Sequence, residues 1–355
     1  MREVKRGKGN MSSEVDIPRF FEMTDLITPM VVRVAATLRL ADHVLNGDNS
    51  LSLLAERTGC VPRVLSKVVD HLVALGIFEK KPSDTLELTP FGTPLLSSWE
   101  DGSFRAFLDL DDVAGRAEMA MTALLHTART GQTAYEGLYG EMLWSDVNGR
   151  PGADQGVAGL APMEPGFDAE LIIDSYDWSR WHHVVDVGGH NGALLAAILH
   201  AHPHLKGTLL DLPKFAELAH RTITHWQVAD RASIVAGSFF DPLPDHGDVY
   251  LLSAILADWT DDKAAEILRQ CGKAAGPEGR VLIAEVHMTD HEQFNPPLNT
   301  AMAVRLEASI TEPDRTQEDL YALAEQAGME VVWRGPATRV RSILELQPKA
   351  GRALS

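Results

Sequence analysis

The chain has 355 residues, 45% of them hydrophobic and 23% charged, with a formal net charge of −18 and only two cysteines, Cys60 and Cys271. That length allows a large core and more than one domain, while the acidic balance argues against a nucleic-acid partner, whose phosphates call for a basic face. No apolar run is long enough to cross a bilayer, the N-terminus has no signal-peptide core, and two cysteines make no disulfide framework, so a cytoplasmic location is expected.

Residues 1–18 read as an extension, basic at Arg2, Lys5, Arg6 and Lys8. Residues 19–100 read as helical and then winged. Apolar residues recur at helical spacing from Ile27 through Leu45, and Leu51 to Gly59 is a short helix stopped by glycine. A second helix carries Leu65, Val68, Val69, Leu72 and Leu75 on one face and ends at Gly76. Ile77–Lys80 and Leu86–Thr89 then flank Pro82-Ser83-Asp84 as a hairpin. A helix-turn-helix with a wing suits DNA, but its recognition helix offers only Arg63 and Lys67, offset by Asp70. A dimerisation module is the better reading.

Residues 101–178 read as a helical linker and pocket region, with helical patterning from Phe104 to Leu143. Glycines and prolines from Asn148 to Gly166 break that pattern. In 179–355 strands and helices alternate. Strands are expected at His183–Val187, Gly207–Leu210, Ser233–Ala236, Val249–Ser253 and Val281–Val286, with helices at Ala193–His200, Phe215–Thr224, Asp262–Ala275 and Gln317–Gln326. Two late strands, around Glu330–Trp333 and Ser342–Leu346, follow. Such alternation implies a doubly wound, mainly parallel α/β sheet with ligands at the carboxyl ends of its strands.

Four segments fall at those ends. Val184-Val185-Asp186-Val187-Gly188-Gly189-His190-Asn191-Gly192-Ala193 is an apolar strand, a glycine turn and a helix start. Asp211 ends the next strand, where a carboxylate suits a ribose diol. Gly237-Ser238-Phe239-Phe240-Asp241-Pro242 offers a hydroxyl and an aromatic face for a purine. Leu251-Leu252-Ser253-Ala254-Ile255-Leu256-Ala257-Asp258-Trp259 is the fourth. His190 places a side chain where a glycine would be expected.

With Thr28-Pro29-Met30 and Val32 to Leu38, these segments resemble the small-molecule O-methyltransferases that use S-adenosylmethionine, especially bacterial enzymes acting on naphthoic acids and aromatic polyketides. The resemblance implies a Rossmann-like class I methyltransferase domain behind a mainly α-helical winged-helix dimerisation domain, and a homodimer. It also implies S-adenosylmethionine as cofactor, a small aromatic or polyketide-derived substrate and no metal. Carried over, Asp186, Gly188, Gly189 and Gly192 surround the methionine part, Asp211 holds the ribose, and Leu212, Ser238 and Phe239 border the adenine. Ser253 lies near the amino-acid end, and Trp144 lies on the pocket wall.

The departures bear on chemistry. The family's general base is a histidine directly before an Asp-Trp pair, and here Ala257 takes that place. Its acidic supports correspond to Glu285 and Asp314. Losing a general base typically costs about 10²- to 10⁴-fold on a protonated phenol. An acceptor already ionised avoids that loss, and proximity alone can drive its methylation. Asp258, His287 or His291 are alternative bases. Met302 and Arg305 are candidate substrate contacts; Arg305 would anchor an acidic substrate or pair with Glu307 or another neighbour. His190 either crowds the cofactor carboxylate or bonds to it. The alternative function is an enzyme on the same scaffold that transfers no methyl group, such as a hydroxylase, decarboxylase or cyclase, with S-adenosylmethionine lost or non-reactive.

Overall fold

A computed structural model of the chain describes residues 16–99, 103–150, 156, 163–166, 168–287, 296–310, 315–338 and 341–349. They form two compact units that divide between Leu96 and Ser97.

The first unit contains α1 (Ile17–Thr24), α2 (Ile27–Thr37), α3 (Leu40–Leu45), α4 (Leu51–Thr58) and α5 (Pro62–Ala74), then the antiparallel hairpin β1 (Phe78–Lys80) and β2 (Leu86–Leu88). The apolar pattern from Ile27 to Leu45 is cut in two by Arg39, which adopts φ 51 and turns the chain from α2 into α3. Ser50 caps α4 by accepting the Leu53 N–H, and Gly59 ends it in the left-handed region. Leu40, Leu54, Leu65, Leu72 and Phe78 are almost fully buried. Each such side chain contributes roughly 1.5–3 kcal/mol.

In the second unit the helical pattern expected between Phe104 and Leu143 is a chain of short helices: α6 (Ser103–Leu108), α7 (Val113–Met119), α8 (Leu124–Thr130) and α9 (Ala134–Tyr139), followed by α10 (Leu143–Gly149). Local caps cut it. Asp112 accepts from Ala114 N–H and Thr133 from Glu136 N–H, while Gly131 and Gly140 end their helices at φ 70 and 74. Buried Asp146 ties α10 to its neighbours, bonding Tyr135 Oη on α9, Arg150 and, at 2.7 Å, Arg116 Nε on α7. The glycine-rich stretch beyond α10 lies largely outside the described residues.

The remaining strands are β3 (His183–Val187), β4 (Lys206–Asp211), β5 (Ala232–Ala236), β6 (Val249–Ser253), β7 (Arg280–Val286), β8 (Met329–Ala337) and β9 (Arg341–Pro348), in the sheet order β5-β4-β3-β6-β7-β9-β8. Pairing is parallel from β5 to β7 and antiparallel through β9 and β8. The helices are α11 (Ala169–Ser175), α12 (Ala193–Ala201), α13 (Ala216–His225), α14 (Asp261–Ala275), α15 (Pro296–Ser309) and α16 (Gln317–Gln326). Central strands are unbroken apolar runs because both sheet faces are covered. One face packs Val185, Tyr250 and Ile283 against Leu268 and Leu323. The other packs Val184, Leu209 and Leu282 against Leu195 and Ile198. From β3 the chain winds one way to β4 and β5, then the other way to β6 and β7. That reversal opens a crevice above β3.

Among the described residues, several large apolar side chains at the start of the first unit are exposed. Along α1 and the entry to α2, Phe20 is 60% exposed, Phe21 70%, Met23 75% and Leu26 72%, and α1 buries none of its residues. A contiguous apolar face of this kind calls for a second copy. The double substitution Phe21→Asp with Leu26→Asp is expected to shift the protein from dimer to monomer, read by sedimentation velocity.

Candidate active site

A cavity of about 790 Å³ opens at the carboxyl ends of the parallel strands. Of the residues singled out from the sequence, Asp186, Gly188, Gly189, His190, Asp211, Leu212, Ser238, Phe239, Ser253, Trp144 and Asp258 all line it.

The turn after β3 is shaped by what it must avoid. A Cβ on Gly189 would stand 2.2 Å from Asp186 Oδ2 and 2.3 Å from Leu209 Cδ1, so only glycine fits. Gly188, at φ 76, faces Ile255 at 2.6 Å in the same sense. Asp186 is buried, and neither of its carboxylate oxygens has a hydrogen-bond partner among the described residues. Burial, reinforced by nearby Asp211, raises its pKa to about 7. Gly192 starts α12 at φ 73 and is not among the lining residues.

His190 adopts φ 51, a left-handed conformation costing on the order of 1–2 kcal/mol for a residue with a Cβ. Its N–H donates to Asp211 Oδ2 at 2.6 Å, and its ring stands edge-on to Phe215 with centroids 4.5 Å apart. The Leu212 N–H donates to Asp211 Oδ1 at 2.7 Å. Burial raises the Asp211 pKa against these two bonds, and lowers that of His190 to about 4.

The loop after β6 keeps its shape without the histidine. Glu285 Oε2 accepts the Leu256 N–H at 3.1 Å and Oε1 the Val286 N–H at 3.1 Å. Arg315 donates to the Leu256 carbonyl, to the Trp259 carbonyl at 2.6 Å and to Asp261 Oδ1 at 2.9 Å. Ala257 lies buried between these anchors. Asp258 reaches the cavity wall. Burial lifts its pKa well above the carboxylate range, Glu285 adds to the rise, and Trp144 and Arg315 oppose it.

Glu285, expected to be catalytic, does not line the cavity; burial raises its pKa, and it holds the backbone of the β6 loop. Asp314 and His291 lie outside the described residues. His287 bonds Ser342 Oγ at 2.9 Å and is not a lining residue. Met302 and Arg305 sit on α15 and are not among the lining residues, and Arg305 pairs with Glu118 of α7. Sequence reading missed Arg341, a lining residue at the start of β9. It donates to Ser253 Oγ and the Ala284 carbonyl, each at 2.8 Å, and burial lowers its pKa to about 10. It also missed Ala254, which lines the cavity at φ 55. Only the place of Arg341 directly ahead of the late strand expected at Ser342–Leu346 hinted at the first, and nothing marked the second.

A tight glycine turn, a carboxyl at Asp186 without a hydrogen-bond partner among the described residues and an acceptor pair at Asp211 fit S-adenosylmethionine, which presents an ammonium group and a ribose diol. Comparison with known proteins agrees. The O-methyltransferase domain family matches residues 121–330, and the O-methyltransferase dimerisation domain matches 22–98. The chain is 40% identical over 324 residues to the 2,7-dihydroxy-5-methyl-1-naphthoate 7-O-methyltransferase of Streptomyces carzinostaticus, covering 91% of this chain and 96% of that one. It is also 40% identical over 310 residues to the aclacinomycin 10-hydroxylase RdmB of Streptomyces purpurascens, covering 86% and 82%. Among solved structures, the O-methyltransferase NcsB1 from neocarzinostatin biosynthesis in complex with S-adenosylhomocysteine superposes with a TM-score of 0.75 at 37% identity, covering 92% of this chain and all of that one (100%). The chain therefore belongs to the O-methyltransferase family, with that family's dimerisation domain ahead of its class I methyltransferase fold.

Proposed function

We propose that this protein is a cytoplasmic, homodimeric methyltransferase acting on a small aromatic or polyketide-derived acceptor, with Asp258 in the role left vacant at Ala257. The observation that carries this reading is one cavity with the glycine turn, Asp186 and Asp211 on its sheet side and Asp258 on its wall. Asp186, Gly188, Gly189, Ser253 and Asp211 would hold S-adenosylmethionine, which supplies an electrophilic sulfonium methyl when bound. The naphthoate chemistry of the 40%-identical relative suggests a hydroxylated naphthoic acid as acceptor. Phe239, Phe240 and Trp259 form an aromatic cluster, with Phe240 and Trp259 centroids 4.8 Å apart, that keeps water from this side.

Two lining carboxylates, Glu164 and Asp258, lie outside the expected cofactor contacts, and of these Asp258 is carried by the loop that normally bears the base. A raised pKa makes its ionised form a stronger base, and a phenolic acceptor then gives up its proton to Asp258 as the methyl is transferred. Asp258→Asn is expected to lower turnover of a phenolic acceptor by about 10²- to 10⁴-fold. Methylation of a carboxylate acceptor should stay within a few-fold. Steady-state assays with paired hydroxy and carboxy naphthalenes check this, and equal losses on both acceptors would remove Asp258 as the base.

Asp186 makes ligand binding depend on pH. Its folded pKa of about 7 lies above the ordinary carboxylate value, so the ligand-free protein keeps the proton through mildly acidic pH. The stability it contributes is present in acid and lost as pH rises through about 7. An ammonium group favours the ionised carboxylate. Binding of S-adenosylhomocysteine is therefore expected to release a proton near pH 6–7, estimated from the same linkage, and to tighten as pH rises. Calorimetry in buffers of different ionisation enthalpy reads the proton, and Asp186→Asn should abolish its release.

A second reading is favoured by Ala257 together with the 40% identity to a hydroxylase. Incubating protein, S-adenosylmethionine, oxygen, a thiol reductant to supply the two electrons that hydroxylation needs, and a hydroxynaphthoate, then weighing the products, separates the two. A methyl gain supports transfer, and an oxygen gain without methyl supports hydroxylation.

A further inference from the structure

The side chain of His190 is fixed in place without being used up by the protein. Its main-chain N–H is bound to Asp211, and its ring leans on Phe215. Asp211 is the last residue of β4, and Phe215 follows shortly after. In the order β4-β3-β6, this places the ring on the β4 side of the turn, away from Ser253 at the end of β6. His190 is a lining residue of the cavity, and its Nε2 is buried with no hydrogen-bond partner among the described residues. A buried nitrogen without a partner is costly, and so is a left-handed histidine. Both costs persist most readily where a ligand completes the site.

We propose that His190 is a ribose contact: its Nε2 hydrogen-bonds a hydroxyl of the cofactor's ribose, so that His190 and Asp211 clamp the diol between them. This rests on the protein's use of S-adenosylmethionine. The chemistry is complementary. An ionised Asp211 can only accept, and each of its oxygens already takes one main-chain N–H. Ribose hydroxyls offer lone pairs as well as protons, and an imidazole N–H meets the lone pairs that a carboxylate cannot. Burial keeps the ring neutral at pH 7, so it brings no positive charge toward the sulfonium. Nε2 faces the nucleoside rather than the carboxylate of the amino-acid arm because β4, and not β6, anchors the ring.

The test is calorimetric titration of the full-length protein with S-adenosylhomocysteine, its 2′-deoxy and 3′-deoxy ribose analogues, and 5′-methylthioadenosine, which lacks the amino-acid arm. His190→Gly and His190→Asn both tolerate the left-handed backbone, and their melting curves confirm folding. Wild type should bind one deoxy analogue about three- to tenfold more weakly than the parent, the worth of one buried hydrogen bond. Both variants should lose a similar factor on S-adenosylhomocysteine and on 5′-methylthioadenosine, with little further loss on that deoxy analogue. Unchanged affinity in the variants, or the same deoxy penalty as wild type, would overturn the assignment. A loss confined to S-adenosylhomocysteine would also overturn it, by placing the ring at the amino-acid arm. Failure of wild type to bind any of the four would remove the S-adenosylmethionine reading itself.

Discussion

The site depends on the close approach of Asp186 to the turn that follows it. The carboxyl of Asp186 and the side chain of Leu209 fill the space that any Cβ on Gly189 would need. The chain therefore passes tightly over the tip of β3 and enters α12 with its backbone toward the cavity. Because β4 and β6 flank β3 on opposite sides, that one tight turn sits between a carboxylate at the end of β4 and a hydroxyl at the end of β6. A larger residue at Gly189 would displace Asp186 or Leu209, and with them both the cavity floor and the core beneath it.

Away from that turn, the structure separates what holds the active-site loop from what would act in it. Glu285 and Arg315 bind backbone groups at both ends of the segment from Leu256 to Trp259. Those bonds do not involve the side chain at 257. The loop can therefore lose its histidine without losing its geometry, and Asp258 still arrives on the cavity wall. An acidic residue that supports a catalytic histidine and one that supports a loop look alike in sequence. Here the backbone bonds of Glu285 decide for the loop.

The parallel sheet was legible because its strands must be apolar on both faces, and the pattern found them to within a residue or two of their ends. His183–Val187 and Val249–Ser253 coincide with β3 and β6. The helical region before it was less legible. Its apolar spacing continues through positions where Asp112, Thr133, Gly131 and Gly140 end or begin helices, and periodicity does not register capping. Pocket residues were found where strand ends fix them and missed where tertiary contacts do. Arg341 reaches the cavity through an antiparallel strand added at the far side of β7. Arg305, a plausible anion anchor by type, is engaged by Glu118, 187 positions away in sequence.

Asp186, Asp211, Asp258, His190 and Arg341 around the cavity share a common bias toward neutrality. Burial raises the pKa of Asp186, Asp211 and Asp258 and lowers those of His190 and Arg341. A ligand-free pocket of this kind stores little charge, because each charged form lacks water to solvate it. A zwitterionic, sulfonium-bearing ligand changes that balance by bringing its own charges into the space. It favours ionised carboxylates on the sheet side and leaves the neutral imidazole to supply a hydrogen bond instead of a repulsive charge. Placing histidine at the turn, where lysine or arginine would carry a fixed positive charge toward the sulfonium, is thus compatible with cofactor binding. Its main cost is the left-handed backbone, which the Asp211 bond and the Phe215 contact help to offset.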